Sequence, residues 1–271
     1  MRAEVVATPV LERLAASALD GVVRGATERA AYLDLGGFVV ALTAPGVPLM
    51  PNGIAVERTA VADGAVRARA ERIVLAGGEV VALEDAAAWE PALPRFAPGD
   101  AEALRARAAA IGAALGDRAT PGSLDGARGR EGLDALRRAV RDRDADAAAR
   151  ASERLLGLGG GLTPEGDDVL TATAAVVIAA GDAFGFTAAA SERFVAALVP
   201  ADAGQRTTAL SATLLALGAE GRIVEPVHRL LDLGTGGPAW REALATLEAT
   251  GASTGRAYAA AVAATLLCLA V

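Results

Sequence analysis

A glycine-rich loop in the C-terminal half of the chain limits the folds that are open to it. The loop, Gly157–Asp168, follows a charged, alanine-rich helical pattern and precedes an apolar one that begins at Val169. Thr163 followed by Pro164 predicts a helix start, with the threonine as N-cap and the proline at the first helical position, where no N–H group is lost. The sequence therefore predicts two helices joined by a glycine loop.

This loop has the chemistry of a site for an anion and a cation together. Its glycines allow a ligand close to the backbone, and the N–H groups at a helix start attract negative charge. Asp167 and Asp168 follow directly, and two carboxylates repel an anion unless a cation such as Mg²⁺ lies between them. The structural alternative is a plain turn whose acids only complement the helix dipole. Three consecutive glycines, a Thr-Pro pair and an Asp pair favour the functional interpretation.

A second glycine turn, Gly251–Arg256, repeats the order glycine, apolar, hydroxyl, glycine before another alanine-rich helix. Two capped helix starts that face one cavity would bind an anion between them, and Arg256 would neutralise its charge. An ordinary serine cap beside a solvated arginine is the alternative. The hypothesis that the two turns meet is open to a direct test by structure.

A third polar stretch contains Gln205, Arg206, Thr207, Thr208 and Ser211. Gln205 is the only glutamine in the chain, and an amide group both donates and accepts hydrogen bonds. Arg206 has the planar group that binds a carboxylate or phosphate through two hydrogen bonds. The alternative for this stretch is an ordinary helix N-terminus.

Two residues that occur once favour structural roles. Asn52 is the only asparagine, and its Pro-Asn-Gly context favours a turn. His228 is the only histidine, so the sequence contains no recognisable nucleophilic dyad or triad.

Residues 159–168 resemble the G-x-G-L-T-P-x-G-D-D signature of the AllH family, named after a proposed subunit of oxamate carbamoyltransferase in bacterial allantoin catabolism. The resemblance continues through Arg206–Ala212 and Gly251–Gly255, so it covers roughly the C-terminal half. Pro51-Asn52-Gly53 is the best match in the N-terminal half. The chain departs from the family pattern at Glu165, where small polar residues are common, and at Arg256, where a basic residue is not required.

The resemblance implies a carbamoyltransferase subunit of allantoin or purine nitrogen catabolism that binds carbamoyl phosphate or oxamate and works with other subunits. In this scheme Asp167 and Asp168 are the catalytic residues, and they hold a metal, expected to be Mg²⁺, or orient the acceptor amine. The expected anion-binding residues are Gly159, Gly160, Gly161, Thr163, Gly166, Arg206, Ser253, Thr254, Gly255 and Arg256. The alternatives are a noncatalytic small-molecule-binding or scaffolding subunit and a phosphotransferase that acts on a different small acid.

Composition excludes several function classes. A net charge of −7 argues against nucleic acid and anionic membrane surfaces as partners. All basic residues are arginines, which excludes Schiff-base chemistry and a P-loop lysine. The single cysteine, Cys268, excludes an internal disulfide and a cysteine-based zinc cluster. We also expect no nicotinamide, flavin, PLP or zinc as cofactor.

The same sequence favours a cytoplasmic protein. No signal peptide is recognisable, and the longest apolar run, Ala257–Val271, is too short to span a bilayer. A homo-oligomer is a further expectation.

The pattern of secondary structure predicts an α+β protein. Residues 1–98 contain short strands with glycine turns at Gly36-Gly37 and Gly77-Gly78, typical of a small barrel or sandwich. Several prolines then mark a boundary, and residues 99–271 read as a bundle of about eight helices that carries the glycine loop. Within this part, residues 120–132 read as a glycine-rich linker.

Overall fold

A computed structural model describes residues 1–119, 122–234 and 238–271. The architecture is α+β, as predicted, with a curled β-sheet followed by helices. Contacts group the described residues into two compact units, Met1–Pro91 and Ala92–Val271. The prediction that residues 1–98 and 99–271 are separate domains stays a prediction.

The first unit is a nine-stranded sheet with one helix, α1 (Thr8–Ala16). The strands are β1 (Ala3–Ala7), β2 (Leu19–Ala26), β3 (Ala30–Leu35), β4 (Phe38–Thr43), β5 (Gly53–Val56), β6 (Ala65–Arg69), β7 (Arg72–Val74), β8 (Val80–Ala82) and β9 (Ala87–Trp89). Their order in the sheet is β8-β7-β6-β2-β3-β4-β5-β1-β9. The sheet curls into a half-barrel, and the amide N–H of Ala82 in β8 donates a 3.0 Å hydrogen bond to the carbonyl of Met1, just before β1.

Both predicted hairpins are present. β3 pairs with β4 across Gly36 and Gly37, whose φ angles are +68° and +92°. β7 pairs with β8 around a second glycine pair that also has positive φ. Two-residue hairpin turns need positive φ, which glycine adopts at little cost. Sequence reasoning missed β2, in which two glycines interrupt the apolar alternation. A side chain at Gly21 would overlap the carbonyl group of Asp34, so this glycine lets β2 and β3 pair closely.

The second unit contains nine α-helices within the ranges that the structure describes, against about eight expected. They are α2 (Ala101–Leu115), α3 (Ala127–Asp142), α4 (Ala145–Leu155), α5 (Glu165–Ala180), α6 (Ala188–Leu198), α7 (Ala209–Ala219), α8 (Glu225–Leu231), α9 (Ala239–Glu248) and α10 (Thr254–Leu269). Among the described residues, no helix is long and apolar enough to cross a membrane.

The predicted linker at residues 120–132 is wrong over its second half, because α3 begins at Ala127. Two glycines inside this helix suggested a loop, yet both serve packing. A side chain at Gly129 would overlap the backbone of Leu124, and one at Gly132 would lie 2.8 Å from the side chain of Leu155. Residues 120 and 121 lie outside the described residues.

Helix α5 is the centre of the second unit, and all sixteen of its residues are buried. It packs against α4, α6, α7 and α10. Its alanines and threonines are small, and a side chain at Gly218 of α7 would lie 2.8 Å from the backbone of Thr171 in α5, so the helices approach closely. The carboxylates at the start of α5 are therefore placed at the end of a helix that is surrounded by protein.

Candidate functional site

The glycine loop turns back on the end of α4 before α5 begins. The amide N–H of Gly166 donates to the carbonyl of Leu158 at 2.9 Å, and Gly157, Gly159 and Gly161 have positive φ. The prediction that Thr163 caps the helix is wrong. Helix α5 begins at Glu165, with Pro164 at the N-cap position and no side-chain cap.

The hydroxyl of Thr163 is used elsewhere, because it lies 2.8 Å from the hydroxyl of Thr254, the first residue of α10. The structure therefore brings the two glycine turns together, as the repeated pattern suggested. Ser253 stands at the N-cap position of α10 and makes no side-chain capping bond. Neither turn uses its hydroxyl as the local cap that helix-start rules favour.

A third loop joins the same place. The hydroxyl of Thr208 caps α7 by accepting from the amide N–H of Ser211 at 3.1 Å, and it donates to the carbonyl of Leu162 at 2.5 Å. The neighbouring Thr207 donates its hydroxyl to the carboxylate of Asp167. We call the meeting point of residues 157–163, 205–208 and 251–254 the helix-start junction. It brings together the loops before α5, α7 and α10.

Asp167 joins two of these loops, the one before α5 and the one before α7. Its side chain is buried, Oδ1 accepts the amide N–H of Gly157 at 2.7 Å, and Oδ2 accepts the hydroxyl of Thr207. Burial raises the pKa of the Asp167 carboxyl, while the hydrogen bonds from Gly157, Thr207 and Ser211 act in the opposite direction. Ser211 lies close to Asp167, although its hydroxyl oxygen makes no hydrogen bond of normal geometry. Both oxygens of Asp167 are engaged by the protein itself.

Asp168 differs from its neighbour, because it is 1% exposed and its Oδ2 has no hydrogen-bond partner in the described part of the chain. Burial raises the pKa of the Asp168 carboxyl to about 8, the Thr254 hydroxyl lowers it, and the charges of Asp167 and Glu165 raise it further. At neutral pH this carboxyl group is therefore mostly protonated. Unlike Asp167, it has spare hydrogen-bonding capacity.

Tyr258 and Ser123 are two residues of this region that sequence reasoning missed. Tyr258 is fully buried, and burial together with the charge of Asp168 raises the pKa of its phenol well above the ordinary value. It stands one helical turn after Thr254, a spacing that could have identified it. Ser123 donates its amide N–H to Glu165 at 2.7 Å and its hydroxyl to the same oxygen. Ser123 gave no signal, because it lies in the segment that read as a linker.

The glycines in and next to the junction fall into two groups. Gly166 and Gly255 donate their N–H groups to main-chain carbonyls, and side chains there would overlap the ends of the preceding helices. A side chain at Gly159 would lie 2.7 Å from the amide nitrogen of Glu165. Gly160 and Gly161 are exposed, and within the described residues their amide N–H groups have no protein acceptor. Gly160 and Gly161 are therefore the glycines whose amide N–H groups can bind a ligand.

Residues 155–266 match the family described as oxamate carbamoyltransferase subunit AllH. This range runs from the end of α4 through most of α10, so it includes all three loops of the helix-start junction. The resemblance seen in the glycine loop is confirmed over this range. No curated protein and no solved structure matches the chain.

Both predicted arginines are exposed, Arg206 within the junction and Arg256 two residues beyond it. Arg206 is 3.9 Å from Asp202, and a side chain at Gly157 would lie 2.6 Å from the Arg206 carbonyl oxygen. Arg256 donates to the carbonyl of Ala252 at 3.2 Å, within its own turn. Within the described residues, neither forms an ion pair with an aspartate of α5.

Asn52 lies in the first unit and not in the AllH-matched segment. It is fully buried, and its Nδ2 donates to the carbonyl of Val39 at 2.7 Å. The next residue, Gly53, closes a turn by donating to the carbonyl of Met50 at 2.8 Å. The Asn52 bond joins the Pro-Asn-Gly turn to the neighbouring strand β4.

The expected metal ligands do not form a multidentate set. Among the described residues, no group of three or more His, Cys, Asp or Glu side chains converges as metal ligands. Both oxygens of Asp167 accept from protein donors, so Asp168 is left as the carboxylate with a free oxygen. The magnesium site stays a prediction.

Proposed function

We propose that this chain is an AllH-like subunit of a carbamoyltransferase, and that the helix-start junction binds a small anion such as carbamoyl phosphate or oxamate. The observation that carries the proposal is the hydrogen bond between Thr163 and Thr254, which joins two glycine turns at the starts of α5 and α10. Helix N-termini carry partial positive charge and unpaired N–H groups, so two of them side by side favour an anion.

The exposed backbone of Gly160 and Gly161 supports this proposal, because its N–H groups are available to the oxygens of a phosphate or carboxylate. The acids beneath it oppose an anion only while they are charged. Since burial raises the pKa of Asp168 to about 8, this carboxyl group carries little negative charge at neutral pH. Asp168 therefore adds little to the repulsion of an anion, and the nearby carboxylates of Asp167 and Glu165 accept hydrogen bonds from the protein.

Carbamoyl transfer makes further demands on such a site. A carbon–nitrogen bond forms to the acceptor amine, the carbon–oxygen bond to phosphate breaks, and the proton that the amine loses passes to the departing phosphate. In the proposed reaction the phosphate takes the electrons of the broken bond, and hydrogen-bond donors at the junction stabilise its charge. Mg²⁺ would add charge neutralisation to the phosphate, and Arg206, in the loop before α7, and Arg256, in the first turn of α10, could do the same. Allantoin or purine nitrogen catabolism is the metabolic setting that the resemblance of residues 159–168 to the AllH family implies.

A docking role is the second candidate, and Leu162 favours it. This side chain is 57% exposed at the tip of the glycine loop, directly before Thr163. Exposed apolar side chains at loop tips contribute to protein interfaces when a partner covers them. A scaffolding subunit would use this tip to contact another subunit and would bind no small anion.

Titration calorimetry of the purified chain separates the two candidates. Carbamoyl phosphate, oxamate and inorganic phosphate are titrated with and without Mg²⁺. We expect binding that weakens about tenfold, or about 1.4 kcal/mol, in Thr163→Val, which keeps the shape but loses the hydroxyl. Thr250→Val is the control, because the hydroxyl of Thr250 donates to the carbonyl of Thr246 outside the junction.

The opposite result would support docking. If none of the three anions binds, while Leu162→Asp abolishes association with the other carbamoyltransferase subunits, the junction is a protein-binding surface. A variant that loses both properties would be checked for folding by circular dichroism before either conclusion is drawn.

A further inference from the structure

A groove between α3 and α4, on the surface of the second unit, is lined mainly by charged side chains. Its volume is about 430 Å³, which lies in the range of sites that bind small molecules. Two half-buried alanines line it, Ala135 from α3 and Ala147 from α4. The other lining residues are charged, namely Arg138, Arg150, Arg154, Glu131 and Asp134. We call this space the arginine groove.

The α4 side of the arginine groove presents two guanidinium groups. Arg150 and Arg154 are four positions apart on one helix, so their side chains are neighbours on the same face. Like charges at this spacing repel each other and destabilise the helix. The Nη1 atom of Arg154 donates to the main-chain carbonyl of Arg150 at 3.0 Å, so it has a fixed position along the helix.

The three arginines of the groove are poorly neutralised by the protein. Arg138, on the α3 side, forms no hydrogen bond or ion pair within the described residues. The ion pair of Arg150 with Asp144 is long, at 3.8 Å, and both side chains are exposed to solvent. Exposed ion pairs contribute little, because water and salt screen them.

Of the two carboxylates in the groove, one is already engaged. Asp134 accepts from Arg137 at 3.0 Å, and Arg137 does not line the groove. Three guanidinium groups therefore remain against one unengaged carboxylate, Glu131. The chain contains 33 acidic and 26 basic side chains, so the cluster is not a result of an overall positive charge.

The two walls of the groove are held together by the protein itself. Arg128, in the first turn of α3, donates to the carbonyls of Glu153 and Arg154 at 3.2 and 2.9 Å. A Cβ atom at Gly132 of α3 would lie 3.2 Å from the Cβ atom of Arg154, so the two helices approach closely here. A site whose walls are already in place costs less to order when a ligand binds.

We propose that the arginine groove is a second anion site, formed by other residues than the helix-start junction, and that it binds a small molecule with a diphosphate group. A guanidinium group binds phosphate oxygens through two parallel hydrogen bonds. A diphosphate offers two adjacent anionic groups, one for Arg138 on α3 and one for Arg150 and Arg154 on α4. A single phosphate has only one such group. This inference does not depend on the carbamoyltransferase function.

Titration calorimetry of the purified chain with pyrophosphate tests the site. Arg138→Ala and Arg150→Ala should each weaken binding about tenfold, because each removes charge-assisted hydrogen bonds. Arg141→Ala is the matched control, since this exposed arginine of α3 does not line the groove, and it should change affinity by less than about twofold. Glu131→Gln should tighten binding about threefold, because it removes the unengaged carboxylate.

Three results of this titration would overturn the proposal. They are no binding at millimolar pyrophosphate, an equal loss in Arg141→Ala, and an affinity for inorganic phosphate as high as that for pyrophosphate. All variants replace exposed side chains, so their melting temperatures should stay within about 2 °C of the native value. If Arg138→Ala does not fold, Arg138→Gln takes its place.

Amide NMR signals distinguish the groove from the helix-start junction. Pyrophosphate should shift the signals of Ala135 and Ala147 in the native chain and, at the same concentrations, in Thr163→Val. Shifts confined to residues 157–163 would overturn the groove as the site. If no anion binds at the junction, the proposed function fails, and the shifts at Ala135 and Ala147 still decide whether the groove binds a diphosphate.

Discussion

The carbonyl group of Leu155, at the end of α4, occupies the space that a side chain at Gly166 would need at the start of α5. The same relationship recurs between Leu247 of α9 and Gly255 of α10. Each of these two helix starts is therefore packed on the end of the helix before it. These two glycines are needed for packing, which is a separate requirement from ligand binding.

We predict that Gly166→Ala and Gly255→Ala each lower the free energy of unfolding by about 1–3 kcal/mol, because the added methyl group forces backbone apart in a close-packed interior. Urea unfolding measures the loss. Gly160→Ala is the matched control, since a Cβ atom there meets nothing within 4 Å and should change stability by no more than about 0.5 kcal/mol. Equal losses at all three positions would show that the close contacts of Gly166 with α4 and of Gly255 with α9 do not determine stability.

Asp167 and Thr207 should be coupled in stability. Asp167→Ala and Thr207→Val each remove the hydrogen bond between them, which joins α5 to the loop before α7. We expect each change to cost about 1–3 kcal/mol and the double variant to cost clearly less than the sum. A double-mutant cycle by urea unfolding measures this coupling, and strict additivity would contradict the role of Asp167 as a tie.

Stability should fall as pH rises through neutrality because of Asp168. The folded chain binds this proton with a pKa of about 8, whereas the unfolded carboxyl releases it near pH 4, so the native state holds more protons between these values. In that window, the free energy of unfolding of the native chain, measured relative to that of Asp168→Asn, should fall by about 1.4 kcal/mol for each pH unit.

Urea unfolding of both proteins at pH 5, 6 and 7 measures this difference. Asp182→Asn, at an exposed position, provides the comparison for a general effect of removing one carboxyl group. A difference between native and Asp168→Asn that does not vary with pH would show that Asp168 is ionised in the folded chain.

Glu165 should hold the short turn at Ser123. Its carboxylate accepts both the amide N–H and the hydroxyl of Ser123. Glu165→Ala removes the acceptor, and we expect the Ser123 amide to exchange its hydrogen at least about tenfold faster, equivalent to the loss of about 1.4 kcal/mol of local protection. Glu165→Gln keeps an acceptor oxygen and should have a smaller effect. Hydrogen exchange read by NMR or mass spectrometry decides between these outcomes.

Elements with strong local signals were predictable from the sequence. The glycine pairs at residues 36–37 and 77–78 indicate hairpins because glycine readily adopts the positive φ that these turns use. The loop between α4 and α5 was equally clear. In each case, the information lies within about ten residues of the element that it determines.

The remaining features depend on partners that are far apart in the chain. The local sequence predicts that the hydroxyl of Thr163 caps the following helix. In the structure this hydroxyl instead forms a hydrogen bond with Thr254, ninety-one positions away. Asp167 likewise has Thr207 as a partner forty positions away. The repeated glycine pattern suggested that two loops meet, and the residues that connect them could be identified only from the structure.

The complete burial of α5 also has a consequence for how the chemistry of this protein can diverge. A helix enclosed on every side transmits any change of volume to its neighbours, so its acidic first turn is confined by the same packing that keeps the bundle folded. The exposed tip at Gly160, Gly161 and Leu162 has no such restriction. Changes in substrate or partner preference should therefore arise at this exposed tip, while the acidic first turn of α5 should change little.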